Sequence, residues 1–205
     1  MDRRTSIKWV LVASAVWPMA AQRGGYAATA PVARGYGTDP DLGKVYHPGE
    51  VWPLTLTASQ KRLAKVLADI IIPADAHSPS ASAVGVVEFI DEWVSAPYPA
   101  NQIDRPVVLN GLAWMDAEAM HRFRKAFADL ELTQQHRICD DICDPSRATP
   151  GRRDATRFFA LYRDLTAGGF YSSPLGRKDL GYIGNVPLER FDGPPPELLR
   201  KVNLA

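Results

Sequence analysis

An all-α fold is what this chain's sequence predicts, on three observations. Apolar residues recur at intervals of three and four in separate tracts between Thr57 and Leu165, the period of helices that bury one face. The seventeen prolines and fifteen glycines gather before Leu54, around Pro73 to Pro106 and after Gly168, which leaves helix-like tracts between them. No convincing strand stands beside them. The expected architecture is about five helices in an irregular bundle, joined by long ordered loops rich in glycine, proline and aromatic residues.

Residues 1–30 read as an export signal of the twin-arginine type. Arg3 and Arg4 precede Ile7 and Lys8, and a short apolar run follows from Trp9 to Trp17. A bilayer span needs roughly 20 apolar residues, so this run reads as a signal h-region. Ser6 stands where an aromatic is commonest in such signals and Asp2 where Ser or Thr is, so an ordinary secretory signal is the alternative. Cleavage is expected between Ala20 and Ala30, where small residues cluster, although Pro31 disfavours the A-x-A site at Ala28-Thr29-Ala30. An uncleaved signal would leave Trp9 to Trp17 as a weak membrane anchor. The twin-arginine route carries folded proteins, so the address implies a chain that binds a cofactor or joins a partner before export.

About 175 residues then remain, enough for one domain with a real core and no disulfide staples. A formal charge of +1 from intermixed acids and bases leaves no basic stripe, which argues against nucleic-acid binding. Residues 31–54 form an extended arm: Gly35, Gly37, Pro40, Gly43, Pro48 and Gly49 prevent a helix, while Tyr36, Tyr46 and Trp52 are too large and apolar for a solvated linker. The arm is expected to lie on its own domain or on a partner. Residues 55–167 are the helical core and 168–205 an aromatic, glycine-rich C-terminal segment.

The first helix opens on Thr57 with Gln60 as a capping box, carries Leu63, Val66, Leu67, Ile70 and Ile71, and ends before Pro73. Ser80 or Ser82 caps a second, with Val84, Val87, Ile90 and Val94 on one stripe and Phe89 and Trp93 beside it, closed by Pro97 and Pro99. A third begins near Asp104, tolerates Pro106 in its first turn and buries Val108, Leu112, Met115 and Ala119. Thr133 opens a fourth that reaches about Asp144. Phe158, Leu161, Tyr162 and Leu165 mark a fifth that stops at Gly168-Gly169. Leu198 and Leu199 behind Pro196 supply a last turn.

Little in the chain carries chemistry. Cys139 and Cys143, four apart in the fourth helix, are a candidate thiol pair or, at a distorted helix end, a disulfide. Their spacing is not C-x-x-C and no further cysteine completes a metal site. His47, His77, His121 and His136 show no ligand spacing, and Asp140, Asp141 and Asp144 read as a solvated acidic face. No dinucleotide fingerprint, P-loop or nucleophile elbow occurs, so no cofactor is expected in this chain. The densest cluster of unusual residues, Ala167 to Asn185, reads as a loop with Phe170, Tyr171 and Tyr182 as contact area and Arg177, Lys178 and Arg190 as donors for a partner's carboxylates. Wrapping back on the helices is the alternative use of that segment.

Four motifs then carry a resemblance: G-Y-G-T-D-P-D-L at Gly35 to Leu42, W-P-L-T-L-T at Trp52 to Thr57, L-A-D-I-I-I-P at Leu67 to Pro73, and T-A-G-G-F-Y-S-S-P-L-G at Thr166 to Gly176 with G-Y-I-G-N following. On these the chain resembles the gluconate 2-dehydrogenase subunit 3 family from about Gly35 to Leu199. The resemblance implies a non-catalytic small subunit of a periplasmic or membrane-associated sugar dehydrogenase. A larger subunit would hold FAD and oxidise the sugar, gluconate or the C3 position of a glycoside, and a cytochrome c with its haem would take the electrons. The small subunit would stabilise the flavoprotein and supply its export signal. No catalytic residue transfers with the resemblance. The expected partner-binding residues are Tyr36, Trp52, Phe170, Tyr171, Arg177, Tyr182 and Arg190. The competing readings are a freestanding secreted redox protein using the Cys139/Cys143 pair, and a secreted binding module.

Overall fold

The computed structural model describes residue 41, residues 43–147 and 149–182, and toward the C-terminus residues 184, 187, 189–190, 193–201 and 203. Residues 1–45 and 46–205 are separate units. Among the described residues every regular element is helical, as the apolar spacing predicts.

Helix α1 spans Ala58–Ile71. The Thr57 hydroxyl accepts the Gln60 N–H at 3.3 Å while Gln60 Oε1 accepts the Thr57 N–H at 2.9 Å, closing the expected capping box. Leu63 and Leu67 are buried, and Val66, Ile70 and Ile71 pack against the same core.

The second helix is divided. A 3-10 turn, Ala81–Val84, follows Ser80, and Gly85 then turns left-handed at φ 85° before α2, Val86–Ser95. Ser82 does not cap it. Its N–H and hydroxyl donate to the Asp69 carboxylate of α1 at 2.8 and 2.7 Å, and that attachment turns the chain away before α2 can start. Val87, Ile90 and Val94 are buried as their spacing requires.

Helix α3, Pro99–Phe123, starts well before Asp104, so Pro99 opens this helix instead of closing the previous one. Proline suits a first helical position, where no N–H is needed. The extra turn supplies the cap for α2. Asn101 Nδ2 donates to the Trp93 carbonyl at 2.9 Å, Gln102 Nε2 to Ala96 at 2.6 Å, and Arg105 to Val94 and, at 2.8 Å, to Ser95. These are carbonyls that a helix end leaves without partners. Pro106 consequently lies inside the helix, which lacks the bond its N–H would have made.

Helix α4 is shorter than its sequence suggests, Leu132–Asp140. Pro145 disfavours helix at Asp144, and the chain turns at Asp141 so that Ile142 is fully buried. Helix α5, Arg153–Ser172, runs straight through Gly168 and Gly169. Two glycines cost about 1 kcal/mol each relative to alanine, but Gly169 is a contact point: a Cβ there would lie 2.7 Å from the Phe89 ring of α2. Continuing the helix also buries Phe170 completely. The short helices α6, Pro174–Asp179, and α7, Pro196–Lys201, follow.

The core forms where α3 packs along α5 and α2 packs on both. Gly111 sets the α3–α5 distance, because its missing Cβ leaves room for the Phe158 ring, which would otherwise lie 1.9 Å away. Leu112, Met115, Phe158 and Tyr162 fill that layer. From Tyr46 to Thr57 the arm lies on its own unit. The buried Asp91 carboxylate accepts the N–H groups of Thr55 and Leu56 at 3.0 and 2.9 Å, and Ser95 Oγ also accepts from Thr55. Asp91 Oδ2 meets the Lys61 ammonium at 2.9 Å, an ion-pair contact without hydrogen-bond alignment. The Trp52 ring stands edge-on to Tyr98, with centroids 5.9 Å apart.

Candidate docking surface

The residues singled out in the sequence scatter into three situations. Arg3, Arg4, Ile7, Lys8 and Tyr36 lie outside the described residues. Trp52 is half-buried against Tyr98 on the arm, so its ring serves its own unit. Tyr171, Arg177, Tyr182 and Arg190 are exposed.

Phe170 corrects the expectation placed on it. It is fully buried and belongs to the core, so it offers no surface to a partner. The Ala167 to Asn185 segment is likewise no loop for most of its length, being the end of α5 followed by α6. The alternation of Gly with aromatic residues hid a helical stripe in which Phe170 faces inward and Tyr171 outward. The two rings meet at right angles with centroids 5.1 Å apart, so the buried ring seats the exposed one.

What fixes the segment is its pair of helix ends. Ser173 Oγ donates to the Phe170 carbonyl at 2.6 Å and accepts the Gly176 N–H at 3.0 Å, ending α5 and capping α6 in one residue. Gly176 is buried where a Cβ would fall 2.0 Å from the Phe170 carbonyl oxygen, so α6 lies as close to the end of α5 as two backbones can. At the far end Tyr182 N–H donates to the Arg177 carbonyl at 3.0 Å and Gly181 N–H to Lys178 at 3.1 Å. That is the Schellman pattern, with Gly181 left-handed at φ 69°.

The result is a rigid knob with an apolar face. Tyr171, Leu175, Leu180 and Tyr182 are 40, 49, 63 and 54% exposed, and together they make up half of the large exposed apolar side chains among the described residues. Tyr171, Leu180, Tyr182 and Arg177 line one shallow hollow, and Arg177, Lys178 and Tyr182 an adjoining one. Single exposed apolar residues need no explanation; here Tyr171, Leu180 and Tyr182 share a hollow with Arg177, aromatic and aliphatic side chains beside a cation. Leu180 joins Tyr171, Arg177 and Tyr182 because the chain folds back over the end of α6, which a reading of this stretch as a loop obscures.

The cysteines do not form a matched pair on one helix face. Cys139 lies in α4 and is buried, whereas Cys143 lies beyond the helix, exposed, its thiol donating to the Asp140 carbonyl at 3.5 Å. Both are free thiols. Burial, and then the neighbouring Asp140 charge, pushes the Cys139 thiol up to about 12, which makes it a poor source of thiolate. Among the described residues no group of three or more His, Cys, Asp or Glu is placed to hold a metal ion, and no helix is long and apolar enough to cross a membrane.

A family model described as Gluconate 2-dehydrogenase subunit 3 matches residues 58–193, from the first turn of α1 past the end of the knob. Neither the curated proteins nor the solved structures yielded a match.

Proposed function

The chain belongs to the gluconate 2-dehydrogenase subunit 3 family, and from that premise we propose that it is a non-catalytic accessory subunit which seats a larger FAD-containing sugar dehydrogenase subunit on the α6 knob. The family implies a partnership with a larger dehydrogenase subunit. The observation that carries the reading is that Tyr171, Leu180 and Tyr182 line one hollow with Arg177 around the short, rigidly capped helix α6. Aromatic and aliphatic anchors beside arginine are the composition of interface centres. Arg177 and Lys178 suit carboxylates on the partner.

In this proposal the flavin and the sugar belong to the larger subunit, and electrons leave through the haem of an associated cytochrome c. The substrate class is a gluconate-like acid or a glycoside oxidised at C3. Arg3, Arg4, Ile7 and Lys8 serve as a twin-arginine signal for both chains, which places the assembled pair in the periplasm or on the periplasmic face of the inner membrane. Stabilisation of the flavoprotein and its export are then one act, since the route accepts it only after folding and docking.

Two measurements test this. Affinity purification of the full chain from periplasm is expected to bring down a larger flavoprotein with dehydrogenase activity; recovery of a lone monomer, with the dehydrogenase exported in its absence, would overturn the reading. Arg3→Lys combined with Arg4→Lys is expected to leave that activity in the cytoplasm.

A further inference from the structure

Beside the contact between α3 and α5 lies a second concavity, unrelated to the knob. It encloses about 400 Å³, within the roughly 300–1,000 Å³ usual for small-ligand sites. Val107, Gly111 and the half-buried indole of Trp114 line it from α3, and the exposed side chains of Asn110, Asp154 and Arg157 stand at its edge. Asp154 and Arg157 are three residues apart on α5, a spacing at which opposite charges ordinarily pair. They do not pair. The Trp114 ring packs on the core by its apolar atoms, but among the described residues none of the side chains of Asn110, Trp114, Asp154 and Arg157 makes a hydrogen bond or ion pair with another protein group. The helix N-terminus accounts for an aspartate in the first turn of α5, but it leaves the guanidinium and the indole N–H unexplained.

We infer that this groove binds a neutral, hydroxyl-rich ring of the pyranoside class. Asp154 and Arg157 sum to zero charge, so neither an anion nor a cation gains a net attraction at the groove. A hydroxyl both donates and accepts, so a polyol satisfies a carboxylate, a guanidinium and an amide at once. The C–H face of the ring covers the Trp114 indole, an apolar surface with a polar edge. The rigid floor follows from Gly111, where the Phe158 ring occupies the space of a side chain and holds the two helices at fixed separation. The inference does not rest on the docking of a flavoprotein, and it concerns residues of this chain alone.

Saturation-transfer difference NMR on the full chain, with methyl β-glucopyranoside as probe, tests it. Transfer to the ring C–H protons is expected. Trp114→Ala abolishes it, and Asp154→Asn or Arg157→Gln weakens binding about tenfold or more, as expected where polar groups read hydroxyls. Ile103→Ala, an exposed change on α3 outside the groove, leaves it unchanged. If Trp114→Ala loses helical circular dichroism, the two exposed charge variants decide the matter. No transfer at tens of millimolar probe, transfer unaffected by both charge variants, or stronger transfer to gluconate than to the glucoside would overturn the inference.

Discussion

The Tyr162 hydroxyl donates to the main-chain carbonyl of Ala64 at 2.7 Å, binding α5 to α1 through the centre of the core. Both residues are completely buried. Burial, then the charge of Asp69, raises the phenol well above its ordinary range, so it remains a donor at any working pH. Tyr162→Phe keeps the ring and removes only this donor; a loss of about 1–2 kcal/mol in urea unfolding is expected. An unchanged unfolding midpoint would mean that the bond contributes nothing beyond the ring's packing.

Gly111 and Gly168 predict opposite signs for the same substitution. At Gly111 an added methyl meets Phe158 at 1.9 Å, whereas at Gly168 nothing lies within 4 Å. Gly111→Ala is expected to destabilise by about 1–3 kcal/mol or more through overpacking. Gly168→Ala, inside the helix and free of neighbours, is expected to stabilise by about 0.5–1 kcal/mol. Thermal melts of the two variants, run side by side, check the pair.

The contrast also shows where sequence is informative. Periodicity marked Leu63, Leu67, Ile90, Val94, Leu112, Met115, Phe158 and Tyr162 as buried, because an apolar stripe has few places to go but inward. Helix ends were less legible, since they depend on partners distant in sequence. Ser82 bonds Asp69 instead of capping α2, and Asn101, Gln102 and Arg105 cap α2 from a turn that the prolines seemed to exclude. The C-terminal surface was half legible. Its residue types are legible, but Gly168-Gly169 reads as a helix stop, whereas Gly168 lies open inside α5 and Gly169 is its contact with Phe89, so the sequence leaves Phe170 outside with Tyr171.

Phe170 and Tyr171, adjacent in sequence, separate stability from association. Phe170→Ala removes a fully buried ring and is expected to cost about 3–5 kcal/mol of folding stability. Tyr171→Ala, at a side chain 40% exposed, is expected to alter the melt little and to weaken capture of the larger subunit; combined with Leu180→Ala it should abolish capture if these are central contacts. Full retention of the partner by that double variant would remove the knob from the interface.

Asp91 is the anchor of the arm. Its side chain holds Thr55 and Leu56 by their N–H groups and faces Lys61. Asp91→Ala leaves the buried Leu56 N–H without its acceptor and the half-exposed Lys61 ammonium without its counter-ion, while Ser95 still accepts from Thr55; a loss of about 1–3 kcal/mol is expected. Proteolysis should sharpen the result, because the freed segment from Tyr46 to Thr57 becomes cleavable before the helices do. Cleavage at the same rate as in the parent chain would show that Trp52 against Tyr98 is sufficient to hold the arm.

Cys139 makes stability fall at alkaline pH. Burial holds its thiol at about 12, above the 9.0 of a free thiol, with the Asp140 charge adding to the shift. The unfolded chain therefore loses this proton first as pH rises. The thiol's contribution is whole below about pH 9 and declines from there toward pH 12, by about 1.4 kcal/mol for each pH unit above the free value. Tyr162, also raised, adds to the same limb at higher pH. Cys139→Ala is expected to cost about 1 kcal/mol at pH 7 through lost packing, and to flatten the decline of unfolding free energy measured between pH 8.5 and pH 10.5. Equal slopes in parent and variant would mean that the folded thiol ionises as readily as the unfolded one, and that solvent reaches the space beneath α4 which burial closes.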